Sequence, residues 1–176
     1  MGGKAFLQLL PNATFPRMPP GAYYALKQVV LGRLHGLFDQ VVVPPEAPDK
    51  IDYGDLDFLA VQPTASTVDH TVVQSTINAA ACIPMDGNRT SNYAVSFSAF
   101  KDTLGRTDGR ELASAADAYF QVDVHVCKDK EELDSINFMH SYGDMGMILG
   151  VIARGIGLQL GTKGLRVRRR VLFYLI

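Results

Sequence analysis

Asp55 and Asp57 stand two residues apart in the run Gly54-Asp55-Leu56-Asp57-Phe58-Leu59. On an extended strand this spacing sends both carboxylates to one face, while Leu56 and Phe58 turn to the other. Two carboxylates held so close repel each other unless a cation lies between them. Hard oxygen donors suit Mg²⁺, which completes its octahedron with water and phosphate oxygens. A third carboxylate, Asp123, sits in Tyr119 to Cys127, where Phe120, Val122, Val124 and Val126 alternate with Gln121, Asp123, His125 and Cys127. Three aspartates from two neighbouring strands can hold two metals about 3.5–4 Å apart, the layout that stabilises attacking and leaving oxygens in phosphoryl displacement. An Asp-x-Asp pair alone is as readily the solvent-facing side of an edge strand. Gly54 before the pair, the apolar continuation after it and the second Asp-bearing strand favour metal.

These residues need elements to position them. Pro19-Pro20 opens a segment in which Leu26, Val29, Val30, Leu34, Leu37 and Phe38 recur at helical spacing. Val41-Val42-Val43 reads as a short strand stopped by Pro44, Pro45 and Pro48, and the aspartate strand runs from about Tyr53 to Val61. Ser66 or Thr67 caps a helix expected to extend to about Ala81, since Val68, Val72, Val73, Ile77 and Ala80 keep the period. Asp86-Gly87-Asn88 is a turn, Asn92 to Phe97 a strand, and Lys101 to Arg110 an exposed loop. After the Tyr119 to Cys127 strand, Lys128 to Met139 reads as a charged helical turn or connector. Glycines then interleave with Met145, Ile148, Val151 and Ile152, giving a closely packed helix from about Met145 to Arg154 ended by Gly155 or Gly157. The order α-β-β-α-β-β-α implies an α+β domain, a mixed sheet covered by helices.

With Gly54 to Leu59, Val122-Asp123-Val124 and Tyr142-Gly143-Asp144 followed by Ala153, Gly157, Leu160 and Gly164-Leu165, the chain resembles the palm of the polymerase-beta-like nucleotidyltransferases, which include the family X DNA polymerases. The resemblance covers about Ala22 to Val167 in element order. It implies a mixed or antiparallel central sheet flanked by helices, with Asp55, Asp57 and Asp123 as metal ligands and catalytic residues for two Mg²⁺ ions. Asp123 would help to activate an attacking hydroxyl. The substrate implied is a nucleoside triphosphate, and a nucleic acid is a possible acceptor of the nucleotidyl group. Gly54, Tyr142 and Gly143 would lie against the nucleotide, with the turn at Ser141-Tyr142-Gly143 supporting its sugar and base. The family places a Gly-Ser pair at a helix start roughly eleven residues before the first aspartate, where N–H groups hold the triphosphate. Pro44-Pro45 stands there in this chain and offers no N–H. Lys50 can supply a phosphate contact as a point charge, or be a solvated loop lysine. The proline pair opens a second reading, a catalytically inactive nucleotide-binding or protein-interaction module of the same fold; a third, suggested by the apolar C-terminal run, is an incomplete gene product without activity.

Composition sets the outer bounds. A chain of 176 residues, 47% hydrophobic, is long enough for one domain with a full core. We divide it into an N-terminal lead at 1–18, the nucleotidyltransferase-like domain at 19–167 and an atypical apolar C-terminus at 168–176. There Arg168 to Arg170 lead into Val171 to Ile176, which reads equally as a final core strand or as the end of a truncated or frame-shifted reading frame. A formal charge of −1 supplies no general pull toward nucleic acid; the basic cluster Lys163 to Arg170 is either a local phosphate contact or a solvated edge. Cys82 and Cys127 lie in unrelated contexts without zinc-ligand spacing and read as buried thiols. Met1 to Leu10 is too short for a signal-peptide core, and no run approaches the ~20 apolar residues of a membrane span. The expectation is a soluble, intracellular protein of the cytoplasm or nucleus. Gly155-Ile156-Gly157 lacks the third glycine of a dinucleotide fingerprint, and no Ser/His/Asp or Cys/His set can be picked out.

Overall fold

The computed structural model describes residues 4–65, 68–84, 90–100 and 118–167. The expected caps Ser66 and Thr67, the turn at 86–88, the loop at 101–110 and the apolar C-terminus at 168–176 lie outside the described residues. Five strands form one mixed sheet in the order β1-β2-β5-β4-β3, with β1 at Phe38–Val42, β2 at Asp55–Pro63, β3 at Ala79–Pro84, β4 at Thr90–Ser96 and β5 at Tyr119–Cys127. The central pair, β2 and β5, runs parallel, and every other neighbouring pair in this sheet is antiparallel. The α+β class read from the sequence is therefore the observed one.

The first helix, α1, occupies Pro20–Leu34, with a proline at its first position where no N–H is needed. Ala22, Tyr23, Leu26, Val30 and Leu34 bury one stripe of it. The helix is shorter than its apolar spacing implies, because Leu37 falls in a turn and Phe38 already opens β1. A second helix, α2, spans His70–Ile77; Asp69 caps it by accepting from the N–H groups of Thr71 and Val72 at 2.9 and 3.0 Å. Asn78 ends α2 in the left-handed region at φ 58°. Ala79 to Ala81, expected to prolong that helix, instead enter β3, where Ala81 pairs with Ala94 and Cys82 with Tyr93. Short alanine runs carry little preference against a strand partner already in place, so the ladder decides.

Helices α1 and α2 cover one face of the sheet. Leu56, Phe58 and Ala60 of β2 and Phe120, Val122 and Val124 of β5 meet them there in the main core. The other face is divided along its length. At the C-terminal ends of β2 and β5, Leu59, Val61 and Cys127 pack under Leu133; at the N-terminal ends the aspartates remain. Leu133 belongs to the third helix, α3, which runs over Lys130–Gly155 and replaces the separate connector and short helix expected from sequence. Asp129 caps its start by accepting the Glu132 N–H at 2.9 Å. Two consecutive residues within it, Tyr142 and Gly143, take positive φ values of 55° and 75°, which interrupts its right-handed path. Beyond α3 comes a hairpin unforeseen from sequence, β6 at Leu158–Gly161 and β7 at Gly164–Val167. The N-terminal lead packs on the sheet through fully buried Phe6 and Met18. Among the described residues no helix is long and apolar enough to cross a membrane.

Candidate metal and nucleotide site

The parallel register of β2 and β5 sets Asp57 directly opposite Asp123, and Asp55 opposite Gln121. Neighbouring strands lie about 4.8 Å apart, and residues two apart on a strand about 6.6 Å, so the three carboxylates occupy one small patch. Asp123 is held by two side chains. Asn92, across the antiparallel pair from β4, donates from its side-chain amide to Oδ1 at 2.6 Å; Gln121 donates to Oδ1 and Oδ2 at 3.0 and 2.9 Å. These bonds fix the carboxylate's orientation on the strand.

A cleft of about 170 Å³ opens over the patch, lined by Val43, Pro44, Pro45, Glu46, Lys50, Asp55, Asp57, His140 and Gly143. Lys50 is fixed at its edge by an ion pair with Glu46 at 2.5 Å and by contact with the Tyr53 ring, 4.8 Å from Nζ to the centroid. Tyr23 donates its hydroxyl to the other Glu46 oxygen at 2.9 Å. The opposite wall comes from α3. The Tyr142 N–H leaves the helix ladder and donates to the Pro45 carbonyl at 2.7 Å, which ties the interruption in α3 to the proline segment.

Electrostatics follow from this crowding. The Asp57 carboxyl is pushed up to about 7, first by desolvation among the surrounding protein and then by the negative charge of Asp123, Asp55 and Glu46, with Lys50 pulling it down. Its side chain still reaches solvent through the cleft mouth, so it is enclosed by protein below and wetted from above. Asp123 is pushed up to about 6 by burial and by Asp55, against the opposing pull of Asn92 and Gln121. Two neighbouring carboxyls that hold protons far above the usual carboxylate range form a site short of positive charge. A hard divalent cation fits that donor set.

Of the residues marked in the sequence, Asp55, Asp57, Lys50 and Gly143 line one cleft, and Asp123 adjoins it through its register with Asp57. Gly54 precedes the strand without lining the cleft; Tyr142 contributes its backbone N–H while its ring is exposed. Pro44 and Pro45 line the cleft, and no helix begins in the segment between them and the aspartate strand. Sequence reasoning missed Glu46, His140 and Asn92. The alternating pattern of β4 and β5 points Asn92 and Asp123 to a common face, but their register appears only on folding; Glu46 is hidden within a proline-rich run. Comparison with protein-family models finds no match, and no curated protein matches the chain.

Proposed function

We propose that the chain is a nucleotidyltransferase-like domain in which Asp55, Asp57 and Asp123 hold Mg²⁺, two ions by the resemblance, together with the phosphates of a nucleoside triphosphate. A nucleotidyl group would pass to a hydroxyl acceptor, with nucleic acid as the first candidate, as the α–β phosphoanhydride bond breaks and pyrophosphate leaves. The observation that carries this reading is the direct opposition of Asp57 and Asp123 on parallel strands, with Asp55 on the same face, under an open cleft. Bound Mg²⁺ would neutralise charge on the triphosphate as it reacts. Asn92 and Gln121 hold the Asp123 carboxylate toward an incoming hydroxyl, whose proton it would accept. Lys50, pinned by Glu46, offers a fixed positive charge to phosphate. The triphosphate would occupy the cleft while the nucleoside extends past the Tyr142 turn. Thiols that form no disulfide, Cys82 and Cys127, and the lack of a membrane-crossing helix among the described residues support a soluble, intracellular setting in the cytoplasm or nucleus.

One observation favours a second reading, a catalytically silent nucleotide-binding or protein-interaction module. Pro44 and Pro45 present no N–H to a triphosphate, so the family's anion cradle is missing there in its usual form. Incubation of the full chain with radiolabelled triphosphates, Mg²⁺ and mixed RNA, DNA and protein acceptors separates the two. Transfer of label in wild type and its loss in Asp123→Asn supports the enzyme. Triphosphate binding without transfer to any acceptor leaves the silent nucleotide-binding module, and no binding rules out the enzyme and leaves only the protein-interaction module.

A further inference from the structure

His125, Cys127 and Glu132 lie beyond the aspartates, at the far end of β5 and in the first turn of α3. One donor atom from each, an imidazole nitrogen, the thiol sulfur and a carboxylate oxygen, lies within 4.8 Å of the other two. The chemistry of this set differs from that of the cleft. Thiolate, imidazole and carboxylate together select a borderline transition ion over Mg²⁺, and three protein ligands plus one water make a four-coordinate zinc site. The sequence hides it, because His-x-Cys on a strand and a glutamate five residues on match no helical zinc spacing.

We propose that these three side chains form a transition-metal site for an ion of the Zn²⁺ class, separate from the aspartate cleft, which pins the end of β5 to the start of α3. The supporting shell is built. Thr90 Oγ1 lies 2.7 Å from His125 Nδ1, across the β4–β5 pair. With Nδ1–H donating to the Thr90 hydroxyl, that bond fixes the ring and leaves Nε2 as the ligand atom, as the partners of zinc-bound histidines commonly do. The Lys128 N–H donates to Glu132 Oε2 at 2.7 Å, and the Glu132 N–H donates to the capping Asp129, which together hold the glutamate at the helix start. Cys127 is buried beside Leu59, Val61 and Leu133, so water is excluded from one side of the ion. Cys127 would bind as its thiolate, with its proton released to solvent as the metal–sulfur bond forms. The site is independent of the nucleotidyltransferase reading, since none of its ligands faces the triphosphate cleft.

Co²⁺ titration of the full chain tests this, because a thiolate-to-cobalt charge-transfer band in the near ultraviolet reports sulfur ligation. One equivalent of Co²⁺ should produce the band, and Zn²⁺ should displace it. The band should vanish in Cys127→Ser and persist in Cys82→Ser and in Asp57→Asn. Glu132→Gln, at a half-buried position with little effect on folding, should weaken Co²⁺ binding at least tenfold, and Thr90→Val about tenfold. Absence of the band in folded wild type overturns the proposal. So does a band that follows Cys82 instead of Cys127, or an unchanged affinity in Glu132→Gln.

Discussion

Asp57 and Asp123 keep their protons in the folded chain at pH values where an unfolded aspartate, with a pKa of about 3.9, has lost them. Between about 4 and about 7 the folded state therefore binds more protons than the unfolded state, and without a divalent cation stability falls as pH rises through that window. Thermal denaturation in chelator at pH 5 and pH 7.5 should show the higher midpoint at pH 5. Asp57→Asn should flatten this dependence and stabilise the metal-free protein at pH 7.5 by about 1 kcal/mol, a figure reduced for the solvent that reaches the side chain. A metal-free midpoint that rises from pH 5 to 7.5 contradicts the crowding of these carboxyls. Asn92→Ala removes a 2.6 Å donor to Asp123 and should cost roughly 1–2 kcal/mol at pH 8 while moving the Asp123 titration, followed by carboxyl NMR, further upward. The two-residue spacing makes Asp55 and Asp57 legible in the sequence itself. Asn92 is not legible there, since nothing in a sequence fixes which residue of one strand lies opposite Asp123 on another.

At the scale of elements, the two aspartate-bearing strands are the easiest to read. β2 and β5 announce themselves by alternation, and their central, parallel pairing places the aspartates on the face that α1 and α2 leave open. α3 is harder. Its first half is charged and its second half glycine-rich, which mimics a connector followed by a short helix, whereas the Asp129 cap and the packing of Leu133 on Leu59 and Val61 make it start at Lys130. The glycines stop it only where the backbone turns left-handed, briefly at Gly143 and finally beyond Gly155 at Gly157. Leu133→Ala should cost about 2–5 kcal/mol in urea unfolding, because it empties the contact that closes the second face. Gly143 takes a φ of 75°, and the space beside it is open, with Ala47 the nearest neighbour of an added Cβ at 3.8 Å. Gly143→Ala should therefore cost about 1 kcal/mol through backbone conformation alone. A neutral outcome would show that the interruption of α3 is not held in that geometry.

For the whole molecule, the sheet divides the protein into a sealed side and a working side. The sealed side carries the main core; the working side holds, in order along β5, the Asn92 and Gln121 contacts to Asp123 and the His125–Cys127–Glu132 group. The cleft stands above Asp55 and Asp57, bounded by the proline segment and α3. The second half of α3 leaves Met147, Ile148, Val151, Ile152 and Ile156 exposed. Val151→Lys with Ile152→Glu should change unfolding free energy by less than about 0.5 kcal/mol per site, since neither side chain contributes to the core. The fold class and the carboxylate patch are legible in the chain because both rest on local alternation. The β6–β7 hairpin and the His125–Cys127–Glu132 group are not, because they depend on where α3 begins and ends. The most direct measurement is the shift in thermal midpoint that a nucleoside triphosphate causes at pH 7.5 with and without Mg²⁺, in wild type and in Asp57→Asn. At a triphosphate concentration about 100-fold above its Kd, the wild type should gain about 2.7 kcal/mol only when Mg²⁺ is present, and Asp57→Asn should gain little. Equal stabilisation of both proteins, or stabilisation independent of Mg²⁺, would contradict a metal and nucleotide site built on Asp55, Asp57 and Asp123.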